Sequence, residues 1–171
     1  MITPQCETKN ISIPKTLYAE NLFLVAKAMR FNKLIPELSV SSLDKSLNFY
    51  VDILGFRMEY SRPESGFAFL SLQGSQLMLD EGNDSKGSPW FTGKLEYPRG
   101  RGIHLQLEVK NISPILTSLK ENNYPVKSEP KDNWFRKGNT LIGMRGFLVM
   151  DPDGYLLMFN EDIGTKKLPK K

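Results

Sequence analysis

The chain has 171 residues, 40% of them hydrophobic and 25% charged, with a net charge of +4 and a single cysteine. That length is enough for one domain with a sizeable core, or for two small repeats sharing one. The lone Cys6 excludes an intramolecular disulfide and a multi-cysteine zinc site, and fits a reducing, cytoplasmic compartment. No apolar run reaches the ~18 residues that a membrane span needs. Asn21–Ala28 is too short and too far from the start for a signal peptide, so no membrane partner is expected. The positive charge collects at the ends. Setting aside Lys9, Lys15, Lys27, Arg30, Glu7 and Glu20, and the tail lysines 166, 167, 170 and 171, leaves 15 basic and 17 acidic residues over 31–165, a net charge of −2. A slightly acidic body with basic ends is not a nucleic-acid surface.

Residues 1–31 form an N-terminal extension: Ile2–Pro14 has no period, and Thr16–Arg30 fits a helix capped by Thr16. The domain is expected over 32–162, as repeats 33–81 and 102–161 joined by a linker, 82–101. A basic tail, 163–171, is expected to fray after Asp162. The repeat shows as a strand–helix unit that recurs after 69 residues. In the first copy Pro36, Leu38 and Val40 face the helix, while Ile35, Glu37 and Ser39 face away. Leu43, Leu47, Tyr50, Val51 and Leu54 then form one apolar stripe, capped by Ser41 or Ser42 and closed by Gly55. In the second copy Ile103, Leu105, Leu107 and Val109 alternate with His104, Gln106 and Glu108. Asn111 caps a helix carrying Ile112, Leu116 and Leu119, and Asn123 stands in for the terminal glycine.

After the first helix, Phe56, Met58 and Tyr60 alternate, and a hairpin follows over 67–81 that turns at Gly74-Ser75. The linker is rich in Gly, Pro and Ser and embeds Trp90, Phe91 and Tyr97. A connection of this length is suited to a functional rim. The second unit continues with a short strand near Val126, a segment from Trp134 to Met144, and a hairpin whose Asp151-Pro152-Asp153-Gly154 is strong turn chemistry. The expected fold is α+β, with tandem βαβββ units curling into a half-barrel cup with the helices outside. Exposed sheet edges then favour a homodimer.

The segments PELSV, SLNFYVDILGF, GRGIHLQLEV and DPDGYLLMF, in that order over Lys33–Glu161, resemble the vicinal oxygen chelate superfamily. This family includes glyoxalase I, extradiol dioxygenases and bleomycin resistance proteins. The resemblance implies that catalytic members hold a divalent metal on positions that fall here on Ile35, Met78, His104 and Met158. Three of these four cannot supply a hard oxygen or imidazole donor. The expectation is therefore no metal, no cofactor and no catalytic residue. The bleomycin resistance proteins look nearest, and they imply a homodimer that sequesters a bulky glycopeptide antibiotic without chemistry.

The expected ligand-binding residues are His104, Gln106, Glu37, Glu108, Met78, Met158, Trp134, Phe135, Tyr97 and Arg101. Glu37, Glu108 and Asp80 would attract a cation, and Trp134-Phe135, Trp90-Phe91 and Tyr97, on loops at the rim, would stack on planar rings. Two alternatives stand beside this reading. One is a glyoxalase-type lyase, isomerase or dioxygenase with a metal on His104 and ligands such as Glu37, Asp80 or Glu108. The other is an interaction module whose cup is filled by its own side chains.

Overall fold

The computed structural model describes residues 30–82 and 89–169, so the extension 1–31 with its expected helix lies almost entirely outside the described residues. The compact unit is Asn32–Lys171. Its elements run β1 (Glu37–Ser39), α1 (Leu43–Leu47) with a π-helical continuation (Asn48–Ile53), β2 (Arg57–Arg62), a 3-10 turn (Pro63–Ser65), β3 (Phe67–Leu72) and β4 (Ser75–Asp80). There follow β5 (His104–Glu108), α2 (Ser113–Glu121), β6 (Ser128–Lys137), β7 (Thr140–Met150) and β8 (Leu156–Lys167). They build two four-stranded sheets of matching order, β1-β4-β3-β2 and β5-β8-β7-β6. Each is mixed: β1 is parallel to β4 and β5 to β8, and the remaining pairs are antiparallel.

The half-barrel cup is not formed. Among the described residues no ladder joins the two sheets, and each ends on open edge strands instead of curling into the other. The strand that would have to meet the second sheet, β1, has only three residues. Its far end is tied to a turn of the second unit, described below, and not to β5. The face away from the helices is thus an open sheet face and not an interior.

Each sheet buries one face. Leu38, Val40, Ala68, Leu70, Leu77 and Leu79 from the first and Leu107, Val109, Phe147, Val149, Leu157 and Phe159 from the second join the helical residues in one core. At about 25 cal/mol per Å² of apolar area, this shared burial is the main term holding the two units together. The first helix reaches it by widening. Leu54 N donates to Phe49 O (3.0 Å) and Phe56 N to Tyr50 O (2.9 Å), spans longer than an α-turn. The extra residue brings Phe49 and Ile53 inward beside Tyr50 and leaves Val51, expected in the stripe, half-buried.

Three local expectations shift. The tail does not fray at Asp162, because β8 continues to Lys167 opposite Thr140. The first hairpin turns at Gln73-Gly74, one residue early. The Trp134–Met144 segment is itself a hairpin, split between β6 and β7.

The duplication extends to single hydrogen bonds. Leu43 N donates to Glu81 Oε2 (2.7 Å), and Ile112 N, 69 positions on, donates to Glu161 Oε2 (2.8 Å), so the same carboxylate serves each helix N-terminus. The units also grip each other reciprocally. Lys110 N, after β5, donates to Gln73 Oε1 in the first hairpin turn (2.9 Å), and Ser41 N, after β1, donates to Asp153 Oδ2 in the second (2.9 Å).

The second grip is much the more elaborate. Asp153 pairs with Arg99 (3.4 Å), whose Nη1 donates to Ser39 O (2.8 Å) and whose backbone N donates to Asp153 O (2.9 Å). Tyr155 donates its hydroxyl to Ser39 O (3.1 Å), and Tyr50, from the first helix, donates to Asp151 Oδ2 (3.0 Å). Gly154 is required here: its φ is +88°, and a Cβ would lie 2.6 Å from Pro98.

Asp153→Ala is expected to cost about 3–5 kcal/mol, because it strands a largely buried Arg99; denaturant unfolding measures this. Asp151 makes a separate prediction. Burial pushes its carboxyl up to about 6, against three hydrogen bonds that favour the charged form. A raised folded value stabilises below the unfolded value and is lost as pH rises through about 6. Wild type should lose about 2 kcal/mol between pH 4 and pH 7 from this group. Asp151→Asn should flatten that step in a pH series of unfolding midpoints.

Candidate functional site

The edges of β1 and β5 face each other across a cavity of about 310 Å³. Pro36, Glu37 and Leu38 line one side and Ile103, His104 and Leu105 the other, with Tyr155 and Leu156 between them. Tyr155 is the same residue that anchors Ser39, so the turn that joins the units also sets this gap. The walls are mostly apolar, and one carboxyl and one imidazole supply the polarity, a composition suited to an organic small molecule.

Register places the neighbours. Glu37 lies beside Met78 on β4, which lies beside Phe69 on β3. Gln106 lies beside Met158 on β8, which lies beside Leu148 on β7. Burial raises the Glu37 carboxyl above its ordinary value, the Asp80 carboxylate raises it further, and Arg62 partly offsets both. Arg62 itself sits 4.0 Å from the centre of the Phe67 ring.

The other expected site residues do not converge here. Glu108 lines a different hollow, of about 740 Å³, with Asn32, Lys110, Asp162 and the Gln73–Ser75 turn. That hollow is larger, but its polar groups are partly committed: Gln73 to Lys110, and Asn32 to Gly74 O (2.8 Å) and Gln76 (2.7 Å). Tyr97 lines a third cavity and Arg101 pairs with Glu96 (3.7 Å). Trp134 and Phe135 lie in β6, not on a rim loop, at the sheet edge opposite β5. Three strand spacings, about 14 Å, separate those edges.

Trp134 also points the wrong way. It shares its face with Asp132, which binds Arg145 (2.6 Å); Arg145 in turn reaches Glu161, the carboxylate beneath α2. Its ring packs on Gly143, where a Cβ would come within 2.6 Å, and carries the Lys166 ammonium 3.5 Å from its centre. Pro36, Leu38, Ile103, Leu105, Tyr155 and Leu156 line the cavity without being among the residues expected from the sequence. Tyr155 follows a turn motif that was read only as a turn.

The donor set at the implied metal positions, Ile35, Met78, His104 and Met158, is one alkyl group, two thioethers and one imidazole. It does not fit a hard divalent ion. Among the described residues no three His, Cys, Asp or Glu side chains come together as a metal site. No helix among them is long and apolar enough to cross a membrane.

Known proteins were compared with this chain. The sequence profile of the Glyoxalase/Bleomycin resistance protein/Dioxygenase superfamily matches residues 30–159. A bleomycin resistance protein of Geobacillus stearothermophilus is 31% identical over 137 residues, spanning 75% of this chain and 96% of its own. A probable lactoylglutathione lyase of Synechocystis sp. is 30% identical over 122 residues, spanning 68% and 84%. Among solved structures, a glyoxalase/bleomycin resistance protein/dioxygenase from Nocardioides shares the fold with TM-score 0.52 at 21% identity, covering 90% of this chain and 99% of its own.

Glu37 gives a prediction that needs no ligand. Its raised value means that the ionised form costs stability, so Glu37→Gln should raise the melting temperature at pH 7 and leave it unchanged near pH 3.5. A lower melting temperature at pH 7 would show that Arg62, not Asp80, dominates the carboxylate.

Proposed function

This chain belongs to the glyoxalase/bleomycin resistance protein/dioxygenase superfamily, and from that premise we propose that it binds a bulky, cationic small molecule without transforming it. The observation that carries this reading is the cavity between β1 and β5. Its apolar walls hold Glu37, a carboxyl raised by burial and by Asp80, and His104 on the opposite side. A cation entering there offsets the burial and the Asp80 repulsion that raise Glu37, and the apolar walls take up the ligand's rings and chains. Met78 and Met158, on the open faces beside Glu37 and Gln106, add polarizable surface where catalytic relatives would need donors. The similarity to a bleomycin resistance protein supports a glycopeptide antibiotic as the ligand class.

The working unit of this proposal is a homodimer. Among the described residues four sheet edges are open, which leaves room for a second subunit to pair along one of them. Light scattering should return twice the 19.5 kDa chain mass at micromolar concentration.

The similarity to a lactoylglutathione lyase favours a second reading, a metal-dependent lyase built around His104. One titration series separates the two. On the binding reading a bleomycin-type glycopeptide raises the melting temperature, by about 2.7 kcal/mol of stabilisation at 100 times its Kd. Zinc, nickel and a chelator then leave it unchanged. Glu37→Gln should slow association and weaken its salt dependence while making the free protein more stable. Stoichiometric zinc or nickel uptake with turnover of lactoylglutathione would replace this reading with the lyase.

A further inference from the structure

The third cavity, of about 320 Å³, meets the Asp151 end of the Asp151–Tyr155 turn, and the first cavity meets its Tyr155 end. Its lining comprises Tyr97, Tyr124, Pro125, Val126, Met150 and Asp151, with Lys127 also on its wall. Neither the family match nor the proposed function uses it. We propose that this cavity is a separate binding site for a methylated ammonium group, one that carries positive charge without an N–H to donate.

Four observations carry the assignment. Asp151 is a buried carboxyl (2% exposed) with no lysine or arginine in ion-pair reach among the described residues, because Arg99 is taken by Asp153 and by Ser39 O. Its oxygens already accept from Tyr50 Oη, Asp153 N and Tyr155 N, so a ligand that brings further N–H donors gains little. A diffuse cation needs only proximity. Two tyrosines stand over the same space: Tyr124, fixed by its hydroxyl bond to Met150 O (3.0 Å) and by packing 4.6 Å from Phe49, and Tyr97, exposed at the mouth. The rest of the wall is Pro125, Val126 and Met150, surface suited to methyl groups.

The charges facing Asp151 agree. Asp153 is the second anion facing Asp151, and the hydroxyls of Tyr50, Tyr124 and Tyr155 around it stay neutral, that of Tyr124 pushed up to about 12 by burial, by Asp151 and by Tyr97. Lys127 is the opposing charge, an exposed ammonium on the wall with water to hold it.

The test uses the full chain, with choline as probe and 3,3-dimethylbutanol as its neutral isostere, followed by NMR shifts of the Val126 methyls. Choline should saturate and bind about two- to thirty-fold tighter than the alcohol, the range of a cation over aromatic faces. Its affinity should rise roughly ten-fold between pH 5 and pH 7 as Asp151 ionises through about 6. Tyr97→Leu, at a position 68% exposed and so tolerant of change, should weaken it. Glu37→Gln should not alter the Val126 response, which separates this site from the first cavity. The proposal is overturned if the alcohol binds as well as choline, or if affinity is flat with pH. It is likewise overturned if Tyr97→Leu has no effect, if Glu37→Gln abolishes the response, or if benzoate outcompetes choline through Lys127.

Discussion

Two carboxylates buried in one five-residue turn fix how the two four-stranded halves meet along their shared apolar core. Asp153 takes the backbone N–H of Ser41 and the Arg99 guanidinium, and Asp151 takes the Tyr50 hydroxyl. Tyr155 of the same turn anchors Ser39. Together these bonds fix the end of β1, and the position of β1 relative to β5 is the width of the candidate binding cavity. A buried ion pair is poor evidence for net stability, since its desolvation offsets much of its Coulomb gain. What it supplies here is geometry: remove one partner and the other is left buried and unpaired.

The reciprocal contact shows how an internal duplication drifts apart. After β5, Lys110 N meets the Gln73 side chain as Ser41 N meets Asp153, so the two units started from one plan. One turn has two residues and an exposed amide, and the other has five residues and holds two buried carboxylates. The hollow beside the short turn is accordingly large and polar, while the cavities at the two ends of the long one are smaller and mostly apolar. The helix caps, by contrast, stayed equivalent, Glu81 matching Glu161, because each satisfies backbone donors that any helix must satisfy.

The parts legible in the sequence were those governed by local period. Alternation put Leu38 and Val40, and Leu107 and Val109, in the core, and left Glu37, His104, Gln106 and Glu108 on the other face. Gly55 and Asn123 adopt the left-handed backbone conformation that ends each helix, with φ of +79° and +53°. What was not legible depended on how the sheets sit with respect to each other. Alternation states which way a side chain points from its own strand, but not whether two sheets close. A cup was therefore drawn where the chain has two open faces. Trp134 was misplaced for a related reason: its neighbours Asp132 and Arg136 are polar, so period alone did not show that it lies on the helix side over Gly143. Asp151 and Asp153 read as turn formers, and nothing local reveals that Tyr50 and Arg99, far off in sequence, arrive on them.

The exchange of hard donors for thioethers changes what the open faces can do. A divalent ion at the 35, 78, 104 and 158 positions would impose a fixed positive charge beside Glu37, hold its carboxyl ionised and cancel its attraction for a cationic ligand. Beside Met78, the charges that act on the Glu37 carboxyl among the described residues are Asp80, which raises it, and Arg62, which partly offsets it. The same substitution removes the directional ligands that orient a substrate for reaction and leaves a soft surface that adapts to shape. Thioethers at 78 and 158 and the partly offset Glu37 carboxylate thus act on the same surface, one by shape and the other by charge.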